Sequence, residues 1–214
     1  IRLSLVGSEM CIRDRSRLDK FTKYGPVFYS YRDDEVLDSK YLESPVTFVT
    51  YPKEVPSHVF NCFNTYYHFN SIRCALEKVE TEYVLKMRSD NFFGDLNPFI
   101  EAIVNNPDKL ITSDLYFRPD NVAKFCPSDQ VIGGRTEDMK GLMDLICWRC
   151  ENQSAVLRLA FNDQRFLAND FYKIKDRVTR TVPFASEPME RGKGISPEVL
   201  LGTSWLYHKG ITPD

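Results

Sequence analysis

The chain reads as an α/β domain built on a mostly parallel sheet, and three observations predict it. Short apolar runs closed by polar turn formers recur at 27–31, 46–50 and 83–87, which is the pattern of buried strands. Between the second and third, the period changes: Ile72, Ala75, Leu76 and Val79 recur at three and four residues, giving an amphipathic helix over about 61–79. The resulting order of strand, strand, helix, strand is the one that lays parallel strands side by side with helices on the faces.

At 214 residues and 24.9 kDa the chain is long enough for one well-buried domain, and nothing forces a second. Hydrophobic residues at 43% and charged residues at 27% are ordinary globular values. A net charge of -2 gives no general electrostatic case for nucleic acid or an acidic membrane surface, so any phosphate binding must be local.

Each element has a local reason. Gly25-Pro26 opens the first strand, which ends in the acidic turn Arg32-Asp33-Asp34-Glu35, and Tyr51-Pro52 closes the second, rich in β-branched residues. Asn97-Pro98 starts a helix, with Asn97 as cap and Pro98 in the first turn. Residues 110–117 read as a strand, and the loop from Cys126 feeds a short strand ending in Gly133-Gly134, where another chain or a sugar ring can approach the backbone. Thr136 is the expected cap of the next helix, with Glu137 and Asp138 in its first turn. Residues 155–167 read as helical and 172–182 as extended; Ser196-Pro197-Glu198 begins a final helix that Gly210 stops.

No run approaches the roughly 18 apolar residues of a membrane span, and the opening segment has too short an apolar stretch for a signal peptide. Six cysteines without an export signal favour reduced thiols and a cytoplasmic setting. Cys147 and Cys150 form a lone CxxC, but they share a helical face with Met139, Leu142, Met143 and Ile146, which makes them core.

The stretch 81–91, Thr-Glu-Tyr-Val-Leu-Lys-Met-Arg-Ser-Asp-Asn, is where the sequence states a chemistry. Arg88, Ser89 and Asp90 fall at the carboxyl end of a buried strand, where the loops of an open α/β sheet form a ligand crevice. A carboxylate there can hold a divalent cation, and the cation a diphosphate. Taken by themselves, Arg88 and Asp90 are equally a charged strand end making a surface ion pair.

This element resembles the strand-then-DXD element of nucleotide-sugar-dependent glycosyltransferases of the GT-A type, with Arg88 in place of the first acid. Its form, Tyr-Val-Leu-Lys-x-Arg-Ser-Asp, is similar to the core motif of the WavE lipopolysaccharide-synthesis family. The resemblance covers most of the chain after residue 16. Residues 23–35 resemble the family's second strand, and the helix with Asn64, His68 and Ser71 resembles a segment in which glutamine is usual where His68 stands. Ser128-Asp129 with Gly133 and Glu137-Asp138-Met139 resembles a second block, and Pro197-Glu198 a third.

The resemblance implies a three-layer GT-A-like sandwich and transfer of a sugar from a nucleotide diphosphate sugar to a lipopolysaccharide core or other surface glycan. Asp90 is then the metal or diphosphate ligand, with Mn or Mg as the divalent metal, and Lys86 or Arg88 neutralises phosphate charge. Asp129 and Glu198 are candidates for the base that an inverting transfer needs, and His208 for a late metal ligand. A lipid-linked saccharide acceptor would imply peripheral contact with the inner membrane, although no basic amphipathic helix is evident to make it. Two other functions share these features: a nucleotidyltransferase acting on a sugar phosphate, and a non-catalytic glycan-binding domain.

Such a family begins with a strand ending in a glycine-containing turn. Residues 8–15 resemble translated sequencing-adapter sequence, so 1–15 are expected to be foreign, 16–214 to be one incomplete domain, and the first strand to be missing.

Overall fold

The computed structural model of the chain describes residues 3–8, 20–35, 45–55, 59, 64–88, 94–113, 127–152 and 197–210. In chain order these form β1 (Leu3–Ser8), β2 (Val27–Arg32), β3 (Val46–Tyr51), α1 (Thr65–Leu76), β4 (Tyr83–Arg88), α2 (Asn97–Asn105), β5 (Ile111–Thr112), β6 (Val131–Arg135), α3 (Thr136–Glu151) and α4 (Pro197–His208). The six strands make one sheet in the order β3-β2-β1-β4-β6-β5. β3, β2, β1 and β4 run parallel, while β6 is antiparallel to both β4 and β5.

The mostly parallel sheet is therefore as the sequence predicts, with one correction. The place expected to lack a strand is filled by Leu3–Ser8, paired with β4 along its whole length and with β2 over three residues. The physical reason is that β2 and β4 would otherwise each present an open row of peptide N–H and C=O groups in the middle of the sheet. The short apolar run Leu-Ser-Leu-Val-Gly-Ser can extend to meet both. Residues 9–15 of the adapter-like segment, and the stretches 155–167 and 172–182, lie outside the described residues.

Alternation along the strands builds a core on each face. One side packs Phe28, Val49, Val84 and Ile132 under α1, α3 and α4; the other packs Val27, Tyr29, Leu85, Met87 and Val131 under α2. The result is a three-layer sandwich. Met139, Leu142, Met143, Ile146, Cys147 and Cys150 all point into the first core with no exposed surface. Both cysteines are free thiols, and burial pushes Cys150 up to about 12 and Cys147 higher, as expected of packing groups rather than reactive ones. Among the described residues, no helix is long and apolar enough to cross a membrane.

Two helix starts differ from the sequence reading. α2 includes Asn97 as its first residue, and the Asn97 N–H is bonded by the Asp95 carboxylate at 3.1 Å instead of Asn97 serving as cap. α3 follows β6 without an intervening loop: Arg135 still pairs with Tyr83, and Thr136 N–H bonds the Glu82 carbonyl at 2.9 Å, so Thr136 is the first helical residue. The residue before the neighbouring strand thus satisfies one of the amides that a helix start leaves free. At the end of α4, Gly210 adopts a left-handed φ of 71°, the conformation a terminating glycine permits.

Gly133 sits where β6 passes closest to its surroundings. A Cβ there would fall 2.5 Å from Ile103 Cδ1, 2.9 Å from Leu85 Cδ1 and 3.0 Å from the Val84 carbonyl oxygen. The close approach is by the domain's own chain. Gly133→Ala should therefore destabilise the fold by about 1–3 kcal/mol as an overpacking change, measured as a lower urea midpoint. Gly141 in α3 is covered by the His208 ring, whose Cε1 lies 2.5 Å from where a Cβ would stand. Gly141→Ala should lose to that clash much of the roughly 1 kcal/mol of helix propensity it gains, and a double-mutant cycle should recover the gain in a His208→Ala background.

Candidate functional site

The chain leaves β1 toward β2 and β3 on one side, and returns past β1 to β4 on the other. That reversal opens a crevice outside the carboxyl ends of β1 and β4, where ligands of open α/β sheets bind. Ser8 and Arg88 are paired neighbours at this point. Along β4 the side chains alternate, so Lys86 and Arg88 share the face of Val84, beneath α1, while Tyr83, Leu85 and Met87 face the other core.

Lys86 is the organising cation. It has 0% exposure, and its ammonium donates to the Asp129 carbonyl at 2.5 Å and stands 3.3 Å from His68 Nε2. His68 comes from the first turns of α1, which runs down toward the start of β4 and so offers its beginning to the crevice end. Asp129 comes from the turn before β6, tied to the sheet by Arg88 N–H bonding the Gln130 carbonyl at 3.2 Å. Residues 68, 86 and 129 thus meet from three elements.

The Asp129 carboxylate is held on both oxygens. Oδ2 lies 3.4 Å from His68 Nε2, and Oδ1 accepts from Gln130 Nε2 at 3.3 Å. Beneath it, Ser128 Oγ accepts from the Gln130 N–H and bonds Ser113 Oγ, each at 3.2 Å. The Asp129 and His68 side chains keep 10% and 18% exposure, a narrow opening to solvent. The His68 ring also packs edge-on against Phe69, with centroids 4.9 Å apart.

Burial first, and then the Lys86 and Arg88 charges, hold the His68 imidazole well below the ordinary histidine range. The ring is therefore neutral near pH 7 and carries one N–H. Its 3.4 Å approach to Asp129 is therefore not an ion pair, and the hydrogen bond at Nε2 is the one with the Lys86 ammonium.

The sequence-predicted residues fare differently. Lys86 and Asp129 come together, and Arg88 stands at the same strand end. Of the two cations expected for phosphate, Lys86 has no exposed surface and donates to the Asp129 carbonyl, while Arg88 is partly exposed. Asp90 lies outside the described residues. Glu198 begins α4, which runs antiparallel to α3, since Arg149 bonds Thr203 and Ser204 while Asp138 meets His208. That direction puts Glu198 at the same end of the sheet as Arg88.

His208 stands at the opposite end. Its Nε2 is 3.1 Å from Asp138 Oδ1, which Lys209 also bonds at 2.7 Å, and Asp138 lies in the first turn of α3, beside the start of β4. Burial opposes ionisation of Asp138, but Lys209 and His208 outweigh it and hold its carboxyl below the usual range. His208 is thus a helix-pairing residue, separated from Lys86 and Arg88 by the length of the sheet. Among the described residues, no three His, Cys, Asp or Glu side chains converge as metal ligands.

His68 and Gln130 are the contributors that sequence reasoning underweighted. A lone histidine on an amphipathic helix gives no signal of which strand it will reach, and a glutamine after Asp129 reads only as a turn residue.

No family model matches the chain, and no curated protein matches it. Among solved structures, the glycosyltransferase GlyE of Streptococcus pneumoniae TIGR4 aligns with 98% of this chain at 13% identity and a TM-score of 0.40. Its apo form aligns over the same share at 15% identity and a TM-score of 0.38. The chain spans 62% of the length of each.

A histidine kept neutral in the fold makes stability depend on pH. The unfolded chain binds the proton below about pH 6.5 and the folded chain resists it, so stability is full above that value and falls as pH drops through it. The slope from this one group is on the order of 1 kcal/mol per pH unit. Urea midpoints at about pH 7.5 and about pH 5.5 should therefore diverge less in His68→Gln, which cannot titrate, than in the parent chain.

Proposed function

We propose that the chain is a glycosyltransferase of GT-A-like fold that takes a sugar from a nucleotide diphosphate donor and passes it to a hydroxyl of a surface glycan, such as a lipopolysaccharide core. The observation that supports this reading most is the presence of a partly exposed cation, Arg88, and a held carboxylate, Asp129, at the same strand end, where the strand order of the sheet reverses. Transfer from such a donor needs both. Charge builds on the departing diphosphate and must be met by fixed cations or a metal, and the attacking hydroxyl must lose a proton.

Arg88 supplies the first function at the end of β4, with Asp90, two residues on in sequence, as the position for a divalent cation. Asp129 supplies the second, as the base in an inverting displacement, and Glu198 is a second candidate acid at this end of the domain. The motif resemblance at 83–90 joins this geometry to the nucleotide-sugar class.

The test is binding of a panel of UDP- and GDP-linked sugars by calorimetry, with and without Mn²⁺, for the full chain beside Asp90→Asn and Arg88→Gln. One donor should bind, Arg88→Gln should weaken it about 10- to 100-fold, as removal of a charged hydrogen bond to phosphate does, and Asp90→Asn should remove any metal dependence. Absence of binding by every donor overturns the proposal.

A further inference from the structure

The buried ammonium of Lys86 has a use in this site that the phosphate chemistry does not absorb. It donates to the main-chain carbonyl of Asp129, not to its carboxylate, while the carboxylate reaches the imidazole of His68, which in turn touches the same ammonium. Three groups from a helix, a strand and a loop therefore close a ring of contacts around one residue. The main chain of Asp129 is fixed by Lys86, Oδ2 by His68 and Oδ1 by Gln130.

We propose that Lys86 and His68 are positioning residues for Asp129, holding it aimed at the acceptor hydroxyl. The inference rests on the transferase reading above and adds to it the way the base is set. In the step itself, the acceptor O–H gives its proton to an Asp129 oxygen as the acceptor oxygen forms its bond to the anomeric carbon. The bond from that carbon to the diphosphate oxygen breaks, and its electron pair leaves with the nucleoside diphosphate. Asp129 later returns the proton to solvent.

The arrangement explains why an imidazole serves here and why it does not act as the base. His68 Nε2 faces an ammonium on one side and a carboxylate on the other at nearly equal distance, 3.3 and 3.4 Å. Lys86 can only donate, and an ionised Asp129 can only accept. Lys86 donates to the Asp129 carbonyl and to Nε2 of the neutral ring, which sets the ring edge against Asp129 Oδ2. Protonating the ring would add a third positive charge beside Lys86 and Arg88, so the proton from the acceptor stays on Asp129.

The chain has three histidines, so a protein labelled with ¹⁵N only in histidine gives few enough ring signals to assign His68 by its Phe variant. The expected spectrum has His68 neutral to well below the ordinary histidine range, with its ring signals moved in Asp129→Asn and in Lys86→Met. In donor hydrolysis by the full chain, followed as released UDP or GDP with water as acceptor, Lys86→Met should lower kcat about 100-fold, the scale of misplacing a reacting group, with donor KM unchanged. His68→Gln, which keeps a neutral hydrogen-bonding group near the position of Nε2, should recover most of what His68→Phe loses.

A raised donor KM with unchanged kcat in Lys86→Met overturns the proposal and returns Lys86 to phosphate binding. So does loss of the acidic limb of the pH profile in His68→Gln, which would make His68 the base. Ring signals indifferent to Asp129→Asn overturn it without reference to activity. If the parent chain hydrolyses no donor while the ring signals are coupled, the transferase reading falls and the Lys86–His68–Asp129 unit stands as a structural one only.

Discussion

The parallel ladder between β1 and β4 is the contact on which the rest depends. It joins the β3-β2 half of the sheet to the β6-β5 half, running from Leu3 opposite Tyr83 to Ser8 opposite Arg88. Without it, two strand edges would stand open in the middle of the molecule, each with unsatisfied amides and carbonyls. The same ladder creates the site, because the chain changes direction across the sheet at β1 and leaves a crevice beyond the ends of β1 and β4. Architecture and position of the site are one consequence of one pairing.

Lys86 is the second constraint. A cation with no exposed surface in the middle of a sheet is tolerated only where hydrogen-bonding groups surround it. Here those groups are the Asp129 carbonyl and the neutral ring of His68. Burying the lysine therefore fixes where the 128–130 turn and the start of α1 must lie. A requirement of stability and the placement of a reactive carboxylate are met by the same atoms, and the neutral histidine follows from the cations beside it.

Some elements were legible from sequence because local pattern and tertiary role agree. The apolar runs at β2, β3 and β4 and the three-and-four spacing of α1 correspond to buried faces. The face of α3 carrying Cys147 and Cys150 was readable as core for the same reason. Asn97 and Thr136 are first helical residues rather than caps: Asp95, two positions earlier, takes the Asn97 N–H, and the distant Glu82 carbonyl takes the Thr136 N–H. β1 is not expected from the sequence because residues 8–15 resemble adapter-derived sequence, and a six-residue run gives no local sign of the two strands it joins.

What the sequence by itself determined is the class: short buried strands, an amphipathic helix between them, and a charged cluster at the carboxyl end of the Tyr83 strand. These follow from period and turn chemistry, which are properties of neighbouring residues. Only the tertiary structure decided that β6 runs antiparallel, that Lys86 is interior while Arg88 is accessible, that His208 pairs with Asp138 at the far end, and that His68 meets Asp129. Those outcomes depend on contacts across 43 residues between Lys86 and Asp129 and 70 between Asp138 and His208. Backbone pairing and burial choose among such distant partners, and no local pattern encodes the choice.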